Sequence, residues 1–333
     1  MKQRTHTWLA IRAIALLDDA GVAPNLLRLL KPHVKSAAIG SWIPDLADAK
    51  KGSGDIDNHV FKMKPYDGLD RARFVKNKQK TLRALGSTRL MPKFINDWGG
   101  GLDTNWWEAA YKAKPAPGEH LANRAMALTT TLVDQLILGD TKVAALVPGR
   151  VRFASNLDSN ARTRSEEIAT YFFMLSHFVA DACQPLHCDA RAMAGYSNGV
   201  HKELESHWNR PVGTYFDKKK LFANTDSLQT VLKKSKAVDE KLGIKFDSQI
   251  PDIIANDTWL EILSVCRASF AISSILVPPS VIPYGSRRHT TFDSVFSGSG
   301  VDAKLLADLN RTVLHDAVMN IAMIWKEVWD KFS

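Results

Sequence analysis

Apolar residues recur along this chain mostly at intervals of three and four, the period of one helix face, and seldom in the alternation that marks a strand. Near the end, Leu305, Leu309, Val313, Val318, Ile321, Ile324 and Val328 form one stripe between Val301 and Trp329, which predicts a long helix across the core. A second helix is expected from Gly118 to Leu138, with Pro115 and Pro117 before it and Gly139-Asp140 after it. Thr163-Arg-Ser-Glu166 has the spacing of a capping box, opening a helix that runs through Cys183. Near the start, Trp8 to Leu17 interleaves with Arg12, Asp18 and Asp19 and reads as a first core helix. Strand signals are scarce, so the expected fold is all-α.

The stretches Gly40 to Pro65, Trp98 to Pro117, Tyr196 to Gly199 and Leu276 to Gly300 read as irregular. None has the composition of an interdomain linker and no internal repeat is present, so residues 1–333 are expected to form a single domain with elaborated loops. With 333 residues and 45% hydrophobic content the chain can bury a substantial core. No apolar stretch approaches the roughly 20 residues needed to cross a bilayer. The opening Met1-Lys-Gln-Arg-Thr-His lacks the look of a secretory signal, and Cys183, Cys188 and Cys266 are too few, and odd in number, for a disulfide framework. Buried reduced thiols and a cytoplasmic setting are the expectation from these features, with export the alternative if a leader has been removed.

Charge narrows the partners. The net charge is +9, and between Arg71 and Lys93 lie eight basic residues and no acidic one. That points to an anionic partner, nucleic acid or a phospholipid surface, with a merely solvated helix face as the equal alternative.

The chemistry concentrates in one stretch. His177 and Asp181 stand four apart, as do His201 and Glu205, so each pair shares a helix face and can grip one metal ion. Pro185 cannot continue the helix carrying His177, so the chain must turn there and can bring His187 back toward the same cavity. Trp42-Ile-Pro-Asp45, His59 and His6 lie far upstream and are weak signals singly. His207 and Trp208 follow Glu205 and read as orienting or packing residues; Trp98, Trp106 and Trp107 read as packing or as stacking platforms for bases or lipid. Cys188 adjoins His187, but adjacent side chains mostly point apart, so it reads as a buried thiol rather than a ligand.

As a set these residues resemble the ligands of the zinc-dependent phospholipases C. Their pattern H-x3-D-x5-H-x13-H-x3-E is kept by His177, Asp181, His187, His201 and Glu205, and the preceding D-x13-H by Asp45 and His59. The run His6-Thr-Trp8 with Arg12-Ala-Ile14 is similar to the family's first helix, and Gln184-Pro185-Leu186-His187 is similar to the single-strand-specific nucleases of the same superfamily. The resemblance implies three zinc ions: one on Asp45, His59, His177 and Asp181, a second on His187, His201 and Glu205, and a third on His6, a shared Asp181 and the first residue, here Met1. It implies hydrolysis of phosphoric diesters by a zinc-bridged hydroxide, with Asp181 bridging and Asp45 the carboxylate most suited to take a proton from the attacking water. The substrate would be phospholipid, with transient membrane-surface contact, or single-stranded nucleic acid. The His187 to His201 interval and the terminal Glu205 favour the phospholipase side, since the nucleases have a longer interval and end in Asp. A non-catalytic helical protein stapled by metal is the third reading.

Two departures stand out. The family usually begins with a tryptophan exposed by removal of a leader, whereas this chain begins with Met1, although His6 keeps a nuclease-like separation from it. His59 and His177 are also much further apart than in compact phospholipases, which places insertions at residues 66–160 and 215–300.

Overall fold

A computed structural model describes residues 1–48, 59–64, 89–99, 114–115, 120–139, 161–191, 199–215, 226–253, 257–277 and 303–332. In chain order its helices are α1 (Gln3–Asp19), α2 (Pro24–Leu30), α3 (Ala37–Gly40), α4 (Ile43–Asp48), α5 (Met91–Trp98), α6 (Leu121–Gly139), α7 (Ala161–Ala182), α8 (Val200–Tyr215), α9 (Leu228–Leu242), α10 (Thr258–Leu276) and α11 (Ala303–Phe332). Short 3-10 turns cover Lys31–Ser36 and Pro185–His187. A single antiparallel pair, β1 (Met63–Lys64) with β2 (Lys114–Pro115), is the one sheet among the described residues, so the fold is all-α as expected.

The organising element is α1. Every residue from Thr5 to Leu17 is buried, so it is a central helix rather than an amphipathic surface one. It packs against α11, α9, α8, α7 and α3, which surround it. Its one buried cation is accommodated locally: Arg12 Nε donates to Asp239 Oδ2 of α9 at 2.7 Å, and its guanidinium lies 4.4 Å over the Phe246 ring. On the far side, α7 packs on α6 and α11, and α10 closes over α5, α6 and the Pro185–His187 turn.

Several boundaries differ from the sequence reading. The helix expected to open at Thr163 starts at Ala161, so Thr163-Glu166 lies inside its first turns instead of capping it. Gly40 to Pro65 is not wholly irregular, because it holds all of α4 and strand β1. Trp98 ends α5, and the segment beyond Val277 up to Gly300 lies outside the described residues, as do Trp106, Trp107 and Tyr196. By length and apolar composition α10 does reach what a membrane span requires, contrary to expectation, yet 72% of that stretch is buried inside the protein as a core helix. Its start is fixed by Asp257, whose carboxylate accepts from the Trp259 and Leu260 amides. The ranges 66–160 and 215–300 supply α5, α6, α9 and α10, each of which packs into the core. All three cysteines are buried and unpaired by disulfide.

Candidate metal centre

Six separate pieces of chain deliver the nine expected residues to one place. The start of α1 brings Met1 and His6, and α4 brings Asp45. His59 arrives from an extended segment whose Phe61 and Met63 amides donate to the His187 and Cys188 carbonyls, at 3.1 and 3.0 Å. This short ladder spans more than a hundred residues of sequence and fixes His59 beside His187. The last turns of α7 carry His177 and Asp181. Pro185 breaks that helix into a 3-10 turn, with Gln184 accepting from the Leu186 amide at 2.6 Å, and His187 swings back as expected. The first two turns of α8 present His201 and Glu205.

The spacing of their polar atoms suits a cation at the centre. His59 Nδ1 and His177 Nε2 lie 2.9 Å apart, 3.3 and 3.0 Å from Asp181 Oδ2, and 3.6 and 3.7 Å from Asp45 Oδ1. Four ligand atoms held at tetrahedral zinc bond lengths would be about 3.3 Å apart. His187 Nε2, His201 Nε2 and Glu205 Oε1 form a second triangle with sides of 3.0, 2.8 and 3.3 Å. Asp181 joins the two: its Oδ2 faces His59 and His177, while its Oδ1 lies 3.0 Å from the Met1 amine, 3.5 Å from His6 Nε2 and 3.4 Å from His187 Nδ1. His6, Asp45 and His177 form a further group whose ligand atoms all lie within 4.8 Å of one another.

The hydrogen-bond geometry is compatible with a cation here. His177 Nδ1 sits 2.8 Å from the Ser41 carbonyl, which can only accept, so Nδ1 carries a proton and Nε2 turns inward. It meets Asp181 at 3.0 Å and His59 Nδ1 at 2.9 Å, and electron-rich atoms so close need a proton or a metal ion between them. His6 is buried and stacked on His177 with ring centroids 3.9 Å apart, and neither of its ring nitrogens has a hydrogen-bond partner. Burial, the neighbouring His177 and the Met1 ammonium hold it well below the usual histidine range, in the neutral form that ligates metals. Burial likewise pushes His187 down to about 4 despite Asp181.

The α-ammonium of Met1 lies 3.0 Å from both Asp181 Oδ1 and Glu205 Oε1 and is the positive charge among these carboxylates. Burial alone would weaken it, but Asp181, Glu205 and Asp45 together raise it from 8.0 to about 11. In turn, although burial opposes ionisation, the ammonium and the histidines hold Asp181 and Glu205 well below their ordinary values. Asp45 behaves differently: burial lifts its carboxyl above the ordinary value against the pull of His177. The site also has an open side. Asp45 and His201 side chains are 26% and 24% exposed, against 1% and 0% for Asp181 and His177.

Other expected contributors face elsewhere. The Trp208 indole is fully buried and donates to Asn310 Oδ1 at 2.7 Å, and His207 Nε2 meets the same Asn310 side chain, so both tie α8 to α11. The Trp98 indole donates to Asp308 at 3.2 Å. Of the basic run from Arg71, the described members are Arg89, bound to Asp247 and the Gln249 carbonyl, and Lys93, bound to Asp97. The rest of that run lies outside the described residues. Two supporting groups were not singled out in the sequence: the Ser41 carbonyl that orients His177, and the buried Gln184, whose amide reaches Glu205 at 3.4 Å. The Gln184-Pro185-Leu186-His187 phrase marked the second; nothing in a sequence marks a backbone carbonyl.

No protein-family model, curated protein or solved structure matches the chain. Fold and site together define an all-α protein whose buried His, Asp and Glu clusters could hold metal ions.

Proposed function

We propose that the chain is a zinc-dependent hydrolase of phosphoric diesters, phospholipase C-like, with up to three ions held by Met1, His6, Asp45, His59, His177, Asp181, His187, His201 and Glu205. The observation that carries this reading is Asp181, whose two oxygens face two different ligand groups from the end of one buried helix. All-nitrogen and oxygen donors with an open side suit a catalytic ion, whereas a structural zinc is closed and favours thiolates. Held there, zinc supplies the Lewis acidity that hydrolysis of an anionic diester needs at neutral pH.

The protein's own groups divide the remaining work. Asp181, sealed beneath the cluster, sets its negative charge. Ser41 and Gln184 fix the orientation of His177 and Glu205, which keeps the donor atoms in place. Asp45, the most open of the three carboxylates, is the group assigned to accept a proton from the attacking water. The open side admits the diester while the helices exclude bulk water beneath it.

Phospholipid is favoured over single-stranded nucleic acid by the His187–Glu205 spacing, and because Arg89 and Lys93 are occupied by protein acceptors. The deciding experiment incubates the protein with phosphatidylcholine micelles and with single-stranded DNA, each with and without chelator, alongside a metal count. Turnover of the lipid, abolished by chelator and restored by zinc, is expected. Hydrolysis of DNA alone would overturn the lipid reading, and a chelator that unfolds the protein when no turnover was ever present would leave only a metal staple.

A further inference from the structure

One helix holds both ends of the turn that joins Asp181 to His187. Ser269 and Ser273 stand four apart on α10, on one face and about 6 Å from each other along its axis. Ser269 Oγ donates at 2.6 Å to the carbonyl of Ala182, the residue after Asp181, and Cys188 Sγ turns to the same oxygen at 3.5 Å. Ser273 Oγ donates at 2.7 Å to Asp189 Oδ2, two residues past His187. Between these anchors Asp181 Oδ1 and His187 Nδ1 come to 3.4 Å, the approach that links the two ligand groups.

The second anchor is an ion pair whose two side chains, Asp189 and Arg191, are fully buried. Arg191 Nε donates to both Asp189 oxygens at 3.1 Å and Nη2 to Oδ2 at 2.6 Å, while the Arg191 amide closes a tight turn onto Oδ1 at 2.9 Å. The guanidinium also reaches the end of α10, with Nη2 donating to the Ser273 carbonyl at 3.4 Å and Nη1 to the Val277 carbonyl. Cations are favoured there, at the negative end of the helix dipole. On its other side the same segment pairs with Met63, whose amide donates to the Cys188 carbonyl at 3.0 Å and whose carbonyl accepts from the Ala190 amide at 3.1 Å. His59 lies four residues upstream of Met63, so the anchored segment touches the chain that carries a ligand of each group. A buried ion pair adds little net stability over an apolar pair of the same volume. Its fork and carboxylate instead admit one orientation.

We infer that Asp189, Arg191 and Ser273 form a clamp that positions His187 and, through the Met63 pairing, His59 for metal binding. They are positioning residues, acting through the loop rather than on an ion. The inference rests on the metal reading of the site and adds to it the groups that set its dimensions. The test follows metal rather than turnover, on the full chain: zinc by competition with a chelating dye, cobalt(II) by the absorption bands that report its coordination geometry, and the melting temperature of metal-free protein. The double variant Asp189→Leu, Arg191→Met leaves no unpaired charge. It is expected to bind zinc roughly ten-fold or more weakly and with altered cobalt bands, while its metal-free melting temperature stays at the wild-type value. Should that variant fail to fold, Ser273→Ala, which removes one hydroxyl and keeps the ion pair, should still bind zinc a few-fold more weakly. Zinc affinity and cobalt bands that match wild type in whichever variant folds would overturn the clamp. So would weaker binding accompanied by a lower metal-free melting temperature, the mark of a purely structural pair. Wild-type protein that takes up neither zinc nor cobalt would remove the metal reading and the clamp with it, whereas wild type that binds both and variants that bind alike would remove the clamp alone.

Discussion

His177 shows how one side chain is committed to a role by its neighbours. Its Nδ1 proton is held by the Ser41 carbonyl, so the opposite nitrogen has no choice but to face the carboxylates. Asp181 is the counterpart, fully buried and shared between two ligand groups. The two carboxylates should therefore differ when neutralised. Asp181→Asn is expected to reduce bound metal at both groups, with affinity falling roughly a hundred-fold or more, whereas Glu205→Gln should empty only the group of His187 and His201. Metal per chain, measured by elemental analysis after dialysis, separates these outcomes; an Asp181→Asn protein with undiminished metal would remove its bridging role. The cluster was legible because its side chains are few in kind and their intervals are set by helix geometry. What could not be read was the Ser41 carbonyl, since every residue has one, or the partner that His207 and Trp208 share, Asn310, which is about a hundred residues away.

At the level of the elements, the approach of α3 to α7 depends on a missing side chain. A Cβ built on Gly40 would fall 2.7 Å from the Phe173 Cβ, closer than packed carbons can come. Gly40→Ala should thus push α3 off α7, costing about 1–3 kcal/mol of stability and moving the Ser41 carbonyl away from His177. Thermal melting should show the loss, together with weaker metal retention; an unchanged melting temperature would mean the two helices do not press on each other there. The long helices could be anticipated to within a few residues, because their stripes are long. The capping box at Thr163 misled because residues with capping potential also occur inside helices, and α7 opens at Ala161. The ladder of Phe61 and Met63 onto the His187 loop is two amides long and leaves no periodic trace.

For the molecule as a whole, pH should act through the contact that joins α1 to α9. Burial outweighs the Arg12 guanidinium and lifts the Asp239 carboxyl from 3.8 to about 6. The folded protein therefore holds that proton more tightly than the unfolded chain, so Asp239 favours folding below about 4 and its contribution declines as pH rises through about 6. Relative to Asp239→Asn, which cannot ionise, the wild type should lose on the order of 1–2 kcal/mol between those limits, after allowing for solvent at the carboxylate. Parallel denaturant titrations of both proteins test this, and a difference that is flat with pH would refute it. The all-α class was legible from periodicity alone. Of the core helices that residues 66–160 and 215–300 supply, only α6 was legible, as the helix from Gly118 to Leu138; α5, α9 and α10 were not, since helices of α1's degree of burial recruit partners without regard to sequence distance. One of those partners is α11, which begins some three hundred residues after Met1. At synthesis rates of roughly 5–20 residues per second, α1 waits tens of seconds for the surface that covers it. During that interval His6 and the Met1 amine sit on a half-covered helix, so the candidate metal pocket gains its full support only as α11 leaves the ribosome.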